Sequence, residues 1–405
     1  MKDPTVVAQA LARIRQENAH LKAFTAIRDD DSAVELSLKL KGPLAGKLVA
    51  VKDIFDTTDF ATAYGSPIYS GHQPSTEAAM VSVLRQAGAL VAGKSVTTEF
   101  AFLHPPATLN PAAPGHTPGG SSSGSAAAVA AGLVALAIGS QTGGSTIRPA
   151  SYCGIAGFKP SFGVLPAAGM KCFSWSLDTV GLFARTVAEV REFAQAVSGG
   201  RVQQLAARQP GEWRFGVPRS YPWGEVAPGA AKAMQMAIER LRASGAKVVE
   251  LDLPSWAADC FYAHDAVQAW EAARTLAKEF ESHREQLSPL LRDYLSEARS
   301  VTDDAYSQAQ ATARLARLAA HDWVAGVDVL LTPSAPDEAP SGYTSTGAST
   351  FNRAWTLLAS PCVNVPGATG VNGLPMGVQV IAAAGEDSLC LAAGELVEDL
   401  LSPRA

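Results

Sequence analysis

The chain has 405 residues, of which 47% are hydrophobic and 18% are charged. Its 33 Lys and Arg residues against 38 Asp and Glu residues give a formal net charge of −5. This composition excludes an intrinsically disordered chain, which would carry less apolar content and more charge, and it argues against a strongly basic nucleic-acid binder. Five cysteines in so long a chain exclude a disulfide scaffold, and their odd number suits reduced thiols in a cytoplasm.

The N-terminus shows no targeting signal, because its first residues carry charges and lack an uninterrupted apolar stretch before a cleavage site. The longest apolar segment without a charge, residues 126–142, consists mostly of small residues between Ser-rich segments. It predicts a buried helix rather than a membrane span. We therefore expect a cytoplasmic protein without a membrane or nucleic-acid partner.

Predicted helices and strands alternate along most of the chain. A helix-start signal at Asp3 precedes an amphipathic helix predicted over residues 4–16, with Val7, Leu11 and Ile14 on one stripe. Further helices are predicted at residues 75–89, 230–245 and 387–401, and strands at residues 47–52, 90–94, 213–218, 247–254, 327–336, 364–366 and 376–382. This alternation predicts an α/β fold with a large, mixed, mostly parallel central sheet covered by helices on both faces.

Residues 256–323 depart from this alternation. The segment is rich in Ala, Glu, Arg and Leu and contains no strand-like run, so it predicts several consecutive helices. We interpret it as a helical cap over one end of the sheet rather than a separate domain. The whole chain, residues 1–405, is therefore expected to form a single domain.

The segment with the clearest chemical signal is GHTPGGSSSGSAAAVAAGLVALAIGSQTGGSTIRPASYCGIAGFKPSFGVLP, residues 115–166. A phosphate-binding loop is disfavoured because no Gly-Lys-Ser/Thr sequence follows the glycines. Residues 120–124 match the Gly-x-Ser-x-Gly nucleophile elbow, but the later histidines, His264, His283 and His321, all fall in the predicted helical cap. A third interpretation pairs two serine loops, around Ser121 and Ser145, with a lysine in place of histidine. Spacing alone does not identify such a triad.

Several motifs resemble the amidase signature family. GGSSSGSAAAVAAG, TGGS, Arg-Pro-Ala and Gly-Phe-Lys-Pro match its central region, VAVKDIFDT resembles its lysine strand, and NVPGATGVNGLPMGVQVI resembles a later landmark. The resemblance runs from about residue 43 to 382. Within the family the chain is most similar to bacterial malonamidases, with which it shares two departures from the general pattern. These are Gln141 in place of an acidic residue, and Arg148 three residues after the nucleophile position instead of two.

The resemblance implies a Ser–cis-Ser–Lys triad in the amidase signature fold. Ser145 would be the nucleophile, Ser121 the bridging serine and Lys52 the base. A serine hydroxyl needs a neighbour that removes its proton, and a lysine can do so only when burial lowers its pKa enough to leave it neutral. The backbone N–H groups of residues 142–145, which are Thr142, Gly143, Gly144 and Ser145, would form the oxyanion hole.

Two further residues are implied as substrate-binding by the likeness to malonamidases. Arg148 would hold a substrate carboxylate, since its planar guanidinium pairs with a carboxylate through two hydrogen bonds. Gln268 would reach the site from the helical cap. Other side chains are weaker candidates: Trp175, Tyr152 and Trp355 for the pocket lining, and Asp178, Ser122 and Ser123 for structural hydrogen bonds.

We expect a homodimeric amidohydrolase that cleaves the C–N bond of small, malonamate-like amides through an acyl-enzyme, without cofactor or metal. Aryl amides, carbamates and ureides of the carboxybiuret type remain alternative substrates. The other class of function is that of an amidotransferase, in which the chain would work together with a partner protein. The intact lysine and serines argue against a binding module without activity.

Overall fold

The computed structural model of the chain describes residues 4–402, so the predicted start signal at Asp3 lies outside the described residues. Within that range, eleven strands form one sheet. The strands are β1 (Phe24–Ile27), β2 (Leu48–Lys52), β3 (Leu90–Ser95), β4 (Leu136–Gln141), β5 (Ala156–Lys159), β6 (Thr179–Ala184), β7 (Arg214–Pro218), β8 (Lys247–Leu251), β9 (Val329–Pro333), β10 (Cys362–Val365) and β11 (Val378–Ile381).

Thirteen α-helices accompany the sheet in the described part of the chain. They are α1 (Pro4–Leu21), α2 (Asp30–Lys39), α3 (Ala79–Gln86), α4 (Ser123–Ala130), α5 (Ile147–Tyr152), α6 (Val187–Val197), α7 (Pro228–Ala243), α8 (Ser255–Thr275), α9 (Ala277–Ser282), α10 (Pro289–Ala298), α11 (Asp303–Trp323), α12 (Arg353–Leu357) and α13 (Asp387–Leu401). None of these helices is both long and apolar enough to cross a membrane.

The sheet is mixed, as predicted, but the expectation that it is mostly parallel is wrong. The strands follow the order β1-β3-β2-β4-β6-β5-β10-β11-β9-β7-β8, and only four of the ten neighbouring pairs are parallel. Two of the antiparallel pairs, β5 with β6 and β10 with β11, are joined by segments without an α-helix. Antiparallel neighbours need no crossover helix, so these connections suffice.

The segment between the two serine loops is only partly the helix predicted from its apolar content. It forms α4 and then β4, because Gly132, with a φ of +64°, ends the helix and the run that follows becomes a central strand. The N-terminal helix is longer than predicted and buries its stripe of Val7, Leu11 and Ile14. The start of α3 at Ala79 is later than expected, whereas α13 has the predicted bounds.

Residues 256–323 form consecutive helices without a strand, as predicted, and α8 packs against α10, α11 and α12. β2 is the third strand from the β1 edge of the sheet. It lies parallel to both β3 and β4, with Val51 opposite Ile138. Because parallel strands end at the same edge, the residues that follow β2 and β4 lie close together. Lys52, at the end of β2, and the loop after Gln141 therefore share this edge, where the candidate site lies.

Candidate active site

Lys52 is fully buried at the end of β2, a strand in which every residue is buried. Its Nζ donates hydrogen bonds to Ser121 Oγ at 2.7 Å and to Ser140 Oγ at 2.9 Å. Burial holds the pKa of Lys52 well below its usual value, and the negative charge of Asp178 offsets this effect only in part. The environment therefore favours the neutral amine, which can accept a proton.

Ser121 lies two residues before α4 and follows a cis peptide bond between Gly120 and Ser121. Its side chain is buried and accepts the hydrogen bond from Lys52. The neighbouring serines make local contacts: Ser122 Oγ donates to the Ser140 carbonyl at 3.2 Å, and Ser123 Oγ donates to a backbone carbonyl at 2.7 Å. The side chain of Ser121 is thus the one that this loop directs at the lysine.

Ser145 lies in the loop between β4 and α5 and is 8% exposed. Within residues 4–402 its Oγ makes no hydrogen bond, so the structure joins Lys52 to Ser121 and leaves the Ser145 hydroxyl without a partner. Gln141 stabilises this loop, because its Oε1 accepts hydrogen bonds from the N–H groups of Thr146 at 3.0 Å and Ile147 at 3.1 Å. Its Nε2 donates to Thr356 Oγ1 at 3.1 Å, a contact that an acidic side chain here would not make.

The loop segment Thr142–Ser145 is held by its side chains and carbonyls, while its amide groups stay free. Thr142 Oγ1 donates to Asp178 Oδ1 at 2.6 Å, and the carbonyl oxygen of Gly143 accepts from Thr356 Oγ1 at 3.0 Å. Across residues 4–402, no acceptor is present for the N–H groups of Gly143, Gly144 and Ser145. Unpaired amides on a restrained loop are suited to binding an oxyanion.

Asp178 accepts hydrogen bonds at both of its carboxylate oxygens. Its second carboxylate oxygen accepts the N–H groups of Phe173 at 2.7 Å and Ser174 at 3.1 Å. Burial raises the pKa of the carboxyl, against the effect of these hydrogen bonds. The residue therefore connects the loop around Phe173 to Thr142, and its structural role stays a prediction.

Arg148 is buried and donates hydrogen bonds from both of its Nη atoms. The side chain is buried, with 1% exposure, and its Nη2 and Nη1 donate to the carbonyl oxygens of Gly120 at 2.5 Å and Gly347 at 2.7 Å. The Gly120 carbonyl belongs to the cis peptide bond before Ser121. Burial lowers the pKa of Arg148 to about 10. These contacts hold the Ser121 loop, while Nε has no partner among the described residues, so the predicted contact with a carboxylate stays a prediction.

Gln268 lies on α8, half-buried, and donates to the hydroxyl of Tyr294 at 3.1 Å. It makes no hydrogen bond to the Thr142–Ser145 loop within the described residues. The contact from α8 to that loop comes from His264, one turn earlier, whose Nε2 lies 2.8 Å from the carbonyl oxygen of Thr142. Since a carbonyl only accepts, Nε2 is the donor in this contact.

The aromatic candidates occupy three different environments. Tyr152 is buried, and a methyl group added to Gly347 would lie 2.5 Å from its hydroxyl, so it packs under that loop. Trp355 is also buried, and its ring packs edge-to-face against Trp223. Trp175 is 44% exposed and contacts Trp270 of the helical cap edge-to-face. Of these three candidates, Trp175 is the one that presents substantial aromatic surface to solvent.

Sequence reasoning missed four residues that contact the site: Ser140, His264, Asn352 and Thr356. Asn352 is buried, and its Oδ1 has no partner among the described residues. A methyl group added to Gly144 would lie 2.4 Å from this oxygen, so the amide packs directly on the loop. Of these four residues, the sequence predicted only that His264 lies in the helical cap. Across the same residues, no group of three His, Cys, Asp or Glu side chains is arranged to hold a metal ion.

Comparison with known proteins identifies the family. The family model described as Amidase matches residues 5–391. The chain belongs to the amidase signature family. An amidase from Pseudomonas putida is 33% identical to this chain over 357 residues, which cover 82% of this chain and 75% of that protein. A glutamyl-tRNA(Gln) amidotransferase subunit from Rhodopirellula baltica is 30% identical over 462 residues, with coverage of 97% and 92%.

A solved amidase structure has the same fold, with a TM-score of 0.89 and 30% identity over 98% of this chain and 96% of that one. These relatives establish the chain as a member of a family of amide-cleaving enzymes. Some of them are named as amidases and others as components of amidotransferases, so the finer likeness to malonamidases stays a prediction.

Proposed function

We propose that this protein hydrolyses the C–N bond of small amides through an acyl-enzyme on Ser145. The observation that carries the proposal is the fully buried Lys52, whose amine lies 2.7 Å from Ser121 Oγ next to the loop that bears Ser145. The unpaired N–H groups of that loop support it independently, because they provide the donors that a tetrahedral intermediate requires.

In the proposed reaction Ser145 Oγ attacks the amide carbonyl and passes its proton to Ser121, which passes its own proton to neutral Lys52. The negative charge that develops on the carbonyl oxygen is stabilised by the loop amides of Gly143, Gly144 and Ser145. Ser121 then returns a proton to the departing amine, and the acyl group remains on Ser145. Water, deprotonated along the same path, releases the acid and restores the free hydroxyl.

The acyl part of the substrate is proposed to be small and to carry a carboxylate, on the basis of the motifs shared with malonamidases. Aryl amides, carbamates and ureides fit the same chemistry and form the alternatives. Arg148 remains a predicted contact for this carboxylate: its Nη atoms donate to two backbone carbonyls, and its Nε has no partner among the described residues. Catalysis by a homodimer in the cytoplasm also remains a prediction.

A second candidate is an amidotransferase-type activity with a partner protein. It rests on the 30% identity to the Rhodopirellula baltica amidotransferase component, which spans 97% of this chain. The two candidates differ in what the purified chain can do alone. Under the first, it turns over simple amides without a partner; under the second, its amide turnover depends on one.

The test uses the purified chain with a panel of amides, each supplied with and without a free carboxylate, and measures ammonia or amine release. A fluorophosphonate probe that labels wild type but not Ser145→Ala would support the acyl-enzyme. Labelling that is unchanged in Ser145→Ala would exclude Ser145 as the nucleophile. Ser122→Ala serves as the matched control, since Ser122 follows the bridging serine but bonds to the Ser140 carbonyl instead of Lys52.

A further inference from the structure

A second arginine, Arg353, lies at the start of α12 beside the nucleophile loop. Its Nε donates to Ser349 Oγ at 3.2 Å, and its Nη1 donates to Asp265 Oδ1 at 2.6 Å. The side chain is 29% exposed, whereas Arg148 is buried. No partner of its Nη2 is present within residues 4–402. Arg353 therefore has an unpaired donor on a partly exposed guanidinium, whereas the unpaired Nε of Arg148 is buried.

The contacts of Ser349 place this guanidinium near the proposed oxyanion hole. A methyl group added to Gly143 would lie 3.3 Å from Ser349 Oγ, and one added to Gly144 would lie 2.8 Å from Ser349 Cβ. Ser349 is thus in van der Waals contact with the loop that precedes Ser145. Since Arg353 Nε bonds to the same hydroxyl, one small side chain separates the guanidinium from the loop.

A second connection reaches the loop from the opposite side of the arginine. Asp265, which pairs with Arg353, directly follows His264, and His264 bonds to the carbonyl oxygen of Thr142. The ring of Phe261, one turn before Asp265 on α8, lies 5.5 Å from the guanidinium carbon. These neighbours on α8 restrain the orientation of the guanidinium and leave one of its edges free.

We propose that Arg353 binds the carboxylate of the substrate's acyl part and so sets the preference for acid-bearing amides. This inference rests on the proposed amide hydrolysis and names a residue that determines its specificity. A guanidinium suits this task because its planar donors pair with both oxygens of a carboxylate. Asp265 is half exposed, so a substrate carboxylate that approaches the free edge does not need to displace it.

The experiment compares malonamate with propanamide, which replaces the carboxylate with a methyl group. The ratio of kcat/KM for malonamate to that for propanamide is measured in wild type and Arg353→Gln. We expect the ratio to fall at least about tenfold, the effect typical of a hydrogen bond to a charged group. Arg314→Gln is the matched control, because it removes the same charge from an exposed position on α11 and should leave the ratio unchanged.

Asp265→Asn separates recognition from support of the fold. It breaks the same ion pair but leaves the positive charge, so the ratio should stay at the wild-type value or rise. If Arg353→Gln and Asp265→Asn instead reduce turnover of both amides by the same factor, the ion pair is only structural and the proposal is overturned.

Equilibrium binding of malonate, measured by calorimetry, gives a readout that does not need turnover. Malonate should bind wild type at least about tenfold more tightly than Arg353→Gln. Equal affinity, or no binding to wild type, overturns the proposal. If malonate binding depends on Arg353 but neither amide is hydrolysed, the anion site stands and the proposed hydrolysis fails.

Discussion

Replacement of Arg148 by methionine tests whether this residue supports the site or recognises substrate. The change keeps an unbranched apolar side chain but removes the hydrogen bonds to the carbonyl oxygens of Gly120 and Gly347. A hydrogen bond to a charged group contributes about 1.5–3 kcal/mol, so two such bonds amount to about 3–6 kcal/mol. Methionine also removes the unfavourable burial of a positive charge, so the expected loss of unfolding free energy lies toward the lower end of this range.

The same variant should lose activity on all amides alike, because the Gly120 carbonyl precedes Ser121 and a shift of this loop moves the bridging hydroxyl. Urea unfolding gives the change in stability, and kcat/KM on malonamate and propanamide gives the change in activity. A loss confined to malonamate, with unfolding unchanged, would refute the positioning role. It would return Arg148 to carboxylate recognition.

Three further predictions concern the reacting groups. Lys52→Met should abolish most turnover. In wild type kcat/KM should rise with pH through a pKa well below the usual lysine value, since only the neutral amine accepts a proton; a rise that occurs only near the usual lysine pKa would contradict this. Ser145→Ala should form no acyl-enzyme that hydroxylamine can trap, as mass spectrometry would show. Gly144→Ala should reduce kcat far more than Gly143→Ala. The methyl group added at position 144 would lie 2.4 Å from Asn352 Oδ1, whereas the nearest atom to a methyl group at position 143 is 3.3 Å away. Equal kcat values for the two variants would argue against a restrained loop.

Elements with strong local signals were predictable from the sequence. Val49, Ala50 and Val51 indicate a buried strand, and Lys52 ends it as expected. The direction of strand pairing had no such signal, because a short apolar run predicts a buried strand but does not specify whether the adjacent strand is parallel or antiparallel. The strand β4 was hidden for a similar reason: the small residues of 126–142 suit both a buried helix and a central strand.

The residues of the candidate site were predictable only where they lie in a motif that resembles the amidase signature family. Lys52 and Ser121 are 69 residues apart in the chain, and the bond between them was expected from family resemblance, not from spacing. The partners of Arg148 were not predictable, since Gly347 lies 199 residues away in a loop without a distinctive pattern. His264 was assigned to the cap correctly, but its bond to Thr142, 122 residues earlier, depends on how α8 docks.

The bond from His264 to Thr142 means that α8 is both a wall of the candidate site and a support for the nucleophile loop. A specificity change that exchanges residues 256–323 for another cap would therefore also alter catalysis unless it keeps a donor at position 264. Chimeras made at this boundary should be ranked by that one contact before any pocket residue is varied.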